Sequence, residues 1–519
     1  MTGALYRHRA FLTILLAGLL VRTVAVLAYQ PALWYSDSLG YAAIAVHPYP
    51  AAARPSGYSL FLLWPLHPLH SFALVVIAQH VLGLGTGIII YALLLRRGVR
   101  AWVAALVSAP ILLSAYEIQI EHFILSDSLF TFLVVAAIAV MLWNRSPGWL
   151  ACIIAGLLLA AATDTRTEGL PLLVAPVVWL VTRPNTKWRT RLAQVLLICI
   201  AFALPTLSYA NWFRQSHGQL RLTYSTGAFL AARAESFANC ATDDLPRTDR
   251  WLCATPGRKP DWYLWTPGAP LSRAKGGAFT AVNDERGTAF AVRVFESQPG
   301  EYLLTTWQAV LQNFSSGGSA YSNGQAAFAF PAHPATLALL AGQNPGNTTG
   351  PIYRYDAHPS TRLAQPWASA LRVYQQIFVV PPTVMGLITL ISCGGILLAW
   401  KRRGGPALLP WAIGAILVVV PAATSGFGTR YELVATAPLC IAAVLGLMEI
   451  RGHSPEPAVK HRPSHAVVRS IPALHAWNSS PAYEGQMESR RPDHAWFADA
   501  PLPAADGPPE QLEATQPIT

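Results

Sequence analysis

Charge is scarce in this sequence. Only 12% of its 519 residues are Asp, Glu, Lys or Arg, about half the quarter that soluble proteins carry. Lysine occurs five times and cysteine six, with no Cys-x-x-Cys pair. That excludes a disulfide-dense scaffold and a zinc ribbon. There is no Gly-rich Walker loop, which argues against a nucleotide as direct donor or fuel. No internal repeat is present, so a solenoid or propeller is excluded. What fills the chain is apolar: 53% hydrophobic residues, in long runs, with mean hydropathy +0.35. Such runs identify a polytopic membrane protein. The formal charge of +11 invites a nucleic-acid reading, which the placement of the charges has to decide.

A helix needs roughly 20 apolar residues to cross a ~30 Å hydrocarbon layer. Candidate spans are 10–29, 71–95, 101–116, 122–143, 148–163, 168–182, 192–212, 374–400, 406–424 and 432–449, about ten in all. The first exceeds a signal-peptide core, and its exit, Tyr29-Gln30-Pro31, lacks a small-residue cleavage pattern. With the N-terminus inside, the inner segments hold Arg7, Arg9, Arg96, Arg97, Arg100, Arg145, Arg183, Lys187, Arg189, Arg191, Lys401, Arg402 and Arg403 and no acid. The short outer segments hold Asp37, Glu117, Glu121, Asp127, Asp164, Glu168 and Glu432 against Arg54, Arg166 and Arg430. That split follows the positive-inside rule and places both termini in the cytoplasm. The positive charge therefore sets topology, and no nucleic-acid partner is expected.

Four regions follow. Residues 1–212 form an N-terminal transmembrane module, 372–450 the C-terminal transmembrane helices, and 451–519 a Pro-, Ser- and His-rich tail expected to be a disordered cytoplasmic extension. Residues 213–371 break the apolar pattern and are expected to form an extracytoplasmic mixed α+β loop domain. Cys240 and Cys253 fall there, separated by twelve residues. In an oxidising compartment they suit a disulfide, with two unpaired thiols as the alternative. The fold class is an all-α polytopic membrane bundle carrying that outer domain.

Polar residues gather at the outer rim. WYSDSLGYAAIA carries Asp37 between aromatic residues and a short amphipathic helix, where an unpaired carboxylate is costly. RPSGYSLFLLWPL carries Arg54 and Tyr58 around a Pro/Gly turn. EIQIEHFILSDSLFTFL brings Glu117, Glu121 and Asp127, TDTRTEGL brings Asp164, Arg166 and Glu168, and GFGTRYELVATAP brings Arg430 and Tyr431. Plainer roles compete: Asp127 as a helix cap, and Arg22 as a snorkelling anchor. Together, however, arginines able to clamp a phosphate, a carboxylate able to deprotonate a hydroxyl and aromatic faces for a sugar suit a lipid-linked anionic substrate. His67 and His70, three apart, and His122 beside Glu121 were weighed as ligands of a divalent metal; interfacial anchoring is the simpler reading, and no metal or other cofactor is expected.

These motifs resemble the GT-C superfamily of polytopic glycosyltransferases, in the branch of protein O-mannosyltransferases and the lipid A aminoarabinose transferase. The likeness rests on YSDSLGY, RPSGYSLFL, ILSDSLFTFL, TRTEGLPLLV and GTRYELVATAP, and, for an actinobacterial group, on ARAESFANC, WLCATPGRKPDWYLW and ESQPGEYLLTTW. It implies inverting transfer from a polyprenyl-phosphate sugar to a glycan, lipid or protein acceptor on the outer face of the plasma membrane. Asp37 would be the general base, alone or with Glu121 or Asp127. Arg54, Arg166 and Arg430 would lie nearest the donor phosphate, and Trp34, Tyr35, Tyr41, Tyr58, Glu168 and Tyr431 would line sugar and acceptor. The chain departs from relatives in having Ser38 after Asp37 rather than a second acid, and Asp127 where they often carry Glu. Two other classes compete: a transporter or flippase of lipid-linked saccharides, and a non-catalytic envelope scaffold.

Overall fold

Apolar runs rich in Leu, Ala and Val, without strand-like alternation, become helices. The computed structural model describes residues 2–184, 186–239, 250–253, 258–266, 268–315, 329–343, 348–398, 405–426 and 429–451. Helices α1 (Thr2–Ala28), α2 (Ser36–Val46), α3 (Phe72–Arg96), α4 (Ala101–Leu113), α5 (Ala115–His122), α6 (Asp127–Leu142), α7 (Trp149–Thr165), α8 (Val174–Thr182) and α9 (Trp188–His217) build the N-terminal half. The segment 213–371 contributes α10 (Thr226–Glu235), α11 (Ala281–Ser297) and α12 (Pro299–Gln312). Helices α13 (Trp367–Ile377), α14 (Pro382–Leu398), α15 (Leu408–Thr424) and α16 (Thr429–Ile450) complete the chain. Residues 1–460 form one unit and 461–519 a second. The second unit, like nearly all of the tail expected at 451–519, lies outside the described residues.

Tyr6–Ala28, Phe72–Arg96, Trp188–His217 and Leu433–Ile450 are long and apolar enough to cross a bilayer, and the bent pairs α4/α5 (46°) and α13/α14 (48°) raise the number to six. The remaining expected spans fall on the shorter apolar helices Asp127–Leu142, Trp149–Thr165, Thr167–Thr182 and Leu408–Thr424. On α1 burial departs from that of a water-soluble helix. Leu16, Leu20 and Leu27 of α1 are exposed while Arg22 on the same helix is 2% exposed. Exposed leucines beside a buried arginine suit lipid as the surrounding solvent. Helix α7 packs between α6 and α9, α3 between α4 and α6, and α16 against α14 and α15.

The outer segment departs from expectation. In place of a helix and strand mixture, the regular structure in the described part of 213–371 is helical apart from the two-residue strand β2 (Arg362–Leu363), which pairs antiparallel with β1 (Tyr29–Gln30). Its apolar residues recur at helical spacing: Phe290, Ala291 and Val294 of α11 pack with Ala228, Ala231 and Ala232 of α10 in a hydrophobic cluster distinct from the main one. Thr280 starts α11 by accepting a bond from the Asn283 N–H. Cys253 is disulfide-bonded; Cys240, its expected partner, lies outside the described residues. The strand pair returns the end of this segment to the exit of α1, at the base of the loop that carries Asp37.

Candidate active site

Two short turns position the two acids. Leu33 forms a parallel bridge with Phe123: its N–H donates to the His122 carbonyl at 3.1 Å, and the Ile124 N–H donates back to the Leu33 carbonyl at 3.2 Å. Ser38 accepts from the Tyr35 N–H and donates to the Ile124 carbonyl at 2.9 Å. The start of α2, with Asp37, is thereby joined to residues 123–126, which lead into α6 and Asp127.

Arg430, at the start of α16, links the acids. Its Nη1 donates to Asp37 Oδ2 at 2.8 Å, while Nε and Nη2 reach Asp127 Oδ2 at 2.8 and 2.7 Å. Arg166, just beyond α7, donates to Asp127 Oδ1 and to Glu168 Oε1 at 3.2 Å. Arg54 Nη1 lies 2.8 Å from Asp37 Oδ1, an ion pair without hydrogen-bond alignment, and its guanidinium stands 5.2 Å from the Tyr41 ring centre. Three guanidiniums from three separate segments thus face three carboxylates. Asp127 spends its carboxylate on these arginines and is buried among them, which is more than a cap requires.

The arrangement needs a close backbone approach. A Cβ on Gly57 would sit 2.3 Å from the Asp164 carbonyl oxygen, so the RPSG turn can touch the TDTR turn only with glycine there. Gly57→Ala is expected to destabilise the full chain by about 1–3 kcal/mol through overpacking, read as a lowered thermal unfolding midpoint.

Other expected residues take different places. Tyr41 donates to Ser126 Oγ at 3.0 Å and packs edge-on against Tyr58, whose hydroxyl donates to Gln79 Oε1 at 2.7 Å. Trp34 is buried and donates to the Pro359 carbonyl; it braces the outer segment rather than offering an open face. Tyr35 stands beside Asp37, and burial together with that carboxylate pushes its phenol up to about 12. The Tyr431 side chain lies outside the described residues. Glu121 is absent from the cluster: Arg22 Nε and Nη2 donate to its two oxygens at 2.7 and 2.6 Å. Arg22 therefore does not snorkel. The ring centres of His67 and His70 lie 5.4 Å apart, with His67 against Tyr355. Among the described residues, no group of three or more His, Cys, Asp and Glu side chains is arranged to hold a metal ion.

Sequence reasoning left two carboxyls near the site without a role. Asp164 is buried with Oδ1 lacking a hydrogen-bond partner. Asp261, in the outer-segment helix Pro260–Trp265, acts electrostatically on Tyr35, and Pro260 abuts Gly426 just before Arg430. That approach brings the start of the PDWYLW motif to the segment leading into Arg430, which no local pattern announces.

Burial alone would raise the Asp37 carboxyl, but Arg54 and Arg430 overcome it and hold the group well below the usual carboxylate range. A depressed folded value gives stability that is present above the unfolded value and lost as pH falls. The thermal midpoint of the wild type is expected to drop below roughly pH 4, and to drop less in Asp37→Asn, in unfolding scans across acidic pH.

Residues 72–219, from α3 to just beyond α9, match the family model of dolichyl-phosphate-mannose-protein mannosyltransferase. No protein of curated function matches the chain. Among solved structures, the chain is similar to the oligosaccharyltransferase of Archaeoglobus fulgidus in its apo form, at 12% identity and a TM-score of 0.39, over 83% of this chain and 50% of that one. It is similar in the same degree to the archaeal oligosaccharyltransferase AglB from the same organism in complex with an inhibitory peptide and a dolichol-phosphate, over 84% and 50%. The chain spans about half the length of the solved structures it matches. The family model covers less than a third of the chain, and the several long apolar helices make the chain a multi-pass membrane protein.

Proposed function

We propose, with the family match over residues 72–219 as premise, that this chain moves a sugar from a polyprenyl-phosphate carrier to a hydroxyl of an envelope glycan, lipid or protein. The reaction takes place on the outer face of the plasma membrane, with both termini cytoplasmic. One observation carries the reading: Asp37 and Asp127 are bridged by Arg430 and flanked by Arg54 and Arg166. In the resting site the guanidiniums are neutralised by carboxylates, and Asp37, doubly paired, is a weak base. A donor phosphate competes for Arg54 and Arg430 through charge-assisted bonds, which releases Asp37 and raises its basicity. The acceptor oxygen then attacks the anomeric carbon from the face opposite the carrier. Its proton passes to Asp37, the carbon–oxygen bond to phosphate breaks, and the leaving polyprenyl phosphate keeps the electron pair beside the arginines. Inversion follows from this single displacement. The arginines neutralise the leaving group, and no cofactor enters the scheme.

One observation favours a second reading. Arg22, Glu121, His80 and His122 lie buried within the bundle, and ionisable groups at depth mark many transporters. Reconstitution decides between the two. Sealed vesicles are given radiolabelled polyprenyl-phosphate sugar and acceptor on the outer-loop side alone. Glycosylated product without label crossing the bilayer supports the transferase, whereas label crossing without product supports the transporter.

A further inference from the structure

We infer that the buried array Arg22–Glu121–His80–His122 is a positioning unit for the acid pair, and that it is complete only while it holds one proton beyond those of two neutral histidines. The positioning role rests on the transferase reading; the proton count does not. His122 Nε2 lies 2.7 Å from the Tyr29 carbonyl oxygen. A carbonyl only accepts, so this nitrogen carries a hydrogen. His80 Nε2 and His122 Nδ1 are 3.1 Å apart, and a hydrogen bond between them needs a proton on one side. His80 Nδ1 lies 2.8 Å from Glu121 Oε2 and needs another. Three links require three protons, two neutral imidazoles supply two, and an ionised Glu121 supplies none. The third sits on Glu121 or on one of the histidines. Its position does not change the count.

Arg22 holds the other side of Glu121 and cannot give up its charge. It also donates to the Leu112 carbonyl at 2.7 Å and the Ile111 carbonyl at 3.1 Å. Those oxygens end α4 at the bend into α5, where no further helical turn reaches them. Gly83 of α3 leaves the space for Glu121: a Cβ there would meet its carboxylate at 1.8 Å. Beside His80, Gln79 Nε2 donates to the Glu121 and Phe123 carbonyls, each at 2.8 Å. The array thus fixes the end of α5 and Phe123, whose bridge to Leu33 seats Asp37 and whose chain continues to Asp127. A cavity of about 10 Å³ separates Glu121 from Asp127, lined also by Glu117, Thr86 and Ser128. The titratable groups that face the array are Glu117 on α5, Asp127 on α6, Cys440 on α16 near Glu117, Tyr374 on α13 near Arg22, and Tyr58 through Gln79.

Losing the proton leaves two lone pairs facing each other across one buried link. The contribution of the array is therefore present at lower pH and lost as pH rises. Glu121→Gln tests this, because its amide N–H fills the link to His80 at every pH and mimics the protonated acid. Full-length protein in detergent is unfolded thermally across the range from acidic to alkaline pH, and donor kinetics are followed in vesicles. The expected result is a midpoint difference between wild type and Glu121→Gln that shifts by several degrees against the wild type as pH rises. Wild-type kcat should fall about tenfold per pH unit along the same limb, with donor KM unchanged. Should Glu121→Gln not fold, the pair His80→Phe with His122→Leu, which leaves Arg22–Glu121 intact, should also lack the limb. Parallel midpoint curves for wild type and variants overturn the held proton. A kcat that does not follow the midpoint limb overturns the positioning role. If the wild type transfers no sugar at all, the transferase reading fails while the midpoint curves still decide the proton count.

Discussion

Asp37→Asn is expected to stop the proposed sugar transfer while leaving the chain inserted and folded. General-base catalysis contributes about 10²–10⁴-fold to a reaction of this type, and kcat should fall within that range in reconstituted vesicles. The same substitution has a second effect. Arg54 and Arg430 both pair with Asp37 in the resting site, and an uncharged amide no longer competes with the donor phosphate for them. Donor KM should therefore fall as kcat collapses. An Asp37 that served only to hold the arginines in place would give the opposite pattern, with a raised KM and a largely preserved kcat. Normal kcat in Asp37→Asn would falsify the proposed base.

Asp127→Ala is expected to lower the stability of the chain strongly. Its carboxylate is buried and receives both Arg166 and Arg430, so truncation leaves two guanidiniums without their common partner. Removing one side of a buried ion pair costs about 3–5 kcal/mol, most of it the penalty of the stranded charge. The loss should appear as a lower unfolding midpoint of the full chain in detergent. Adding Arg166→Met removes one stranded charge, and the double variant should be less destabilised than the sum of the two single changes. Additive losses would mean that Asp127 and Arg166 are not coupled as their contact implies. Asp127→Asn, which keeps the shape and some acceptor capacity, should cost less than the alanine.

Much of the fold is legible in single residues and runs. The apolar stretches at 71–95 and 192–212 lie within α3 and α9, because a run of that length has only one way to satisfy its backbone in lipid. The site is legible in part: Asp37, Arg54, Asp127, Arg166 and Arg430 come from five separate stretches, and each is conspicuous as a charge beside apolar sequence. Glu121 is conspicuous for the same reason, yet it pairs with Arg22. The bend at Ser114 turns α5 into the bundle, toward Arg22 of α1, and nothing local reports which way a bent helix points. The outer segment misleads differently. Its Trp, Tyr, Pro and Gly content suggests mixed structure, yet its described residues bury helical faces against each other.

The sequence by itself determined that this is a helical membrane protein with its acids gathered at one rim, since hydropathy and charge placement act locally and additively along the chain. Only the tertiary structure decided which acid meets which arginine. An ion pair forms between groups hundreds of residues apart, as Arg430 does with Asp37, when helix packing brings their ends within about 4 Å. The sharing of Arg430 by two carboxylates and the withdrawal of Glu121 to Arg22 are properties of that packing.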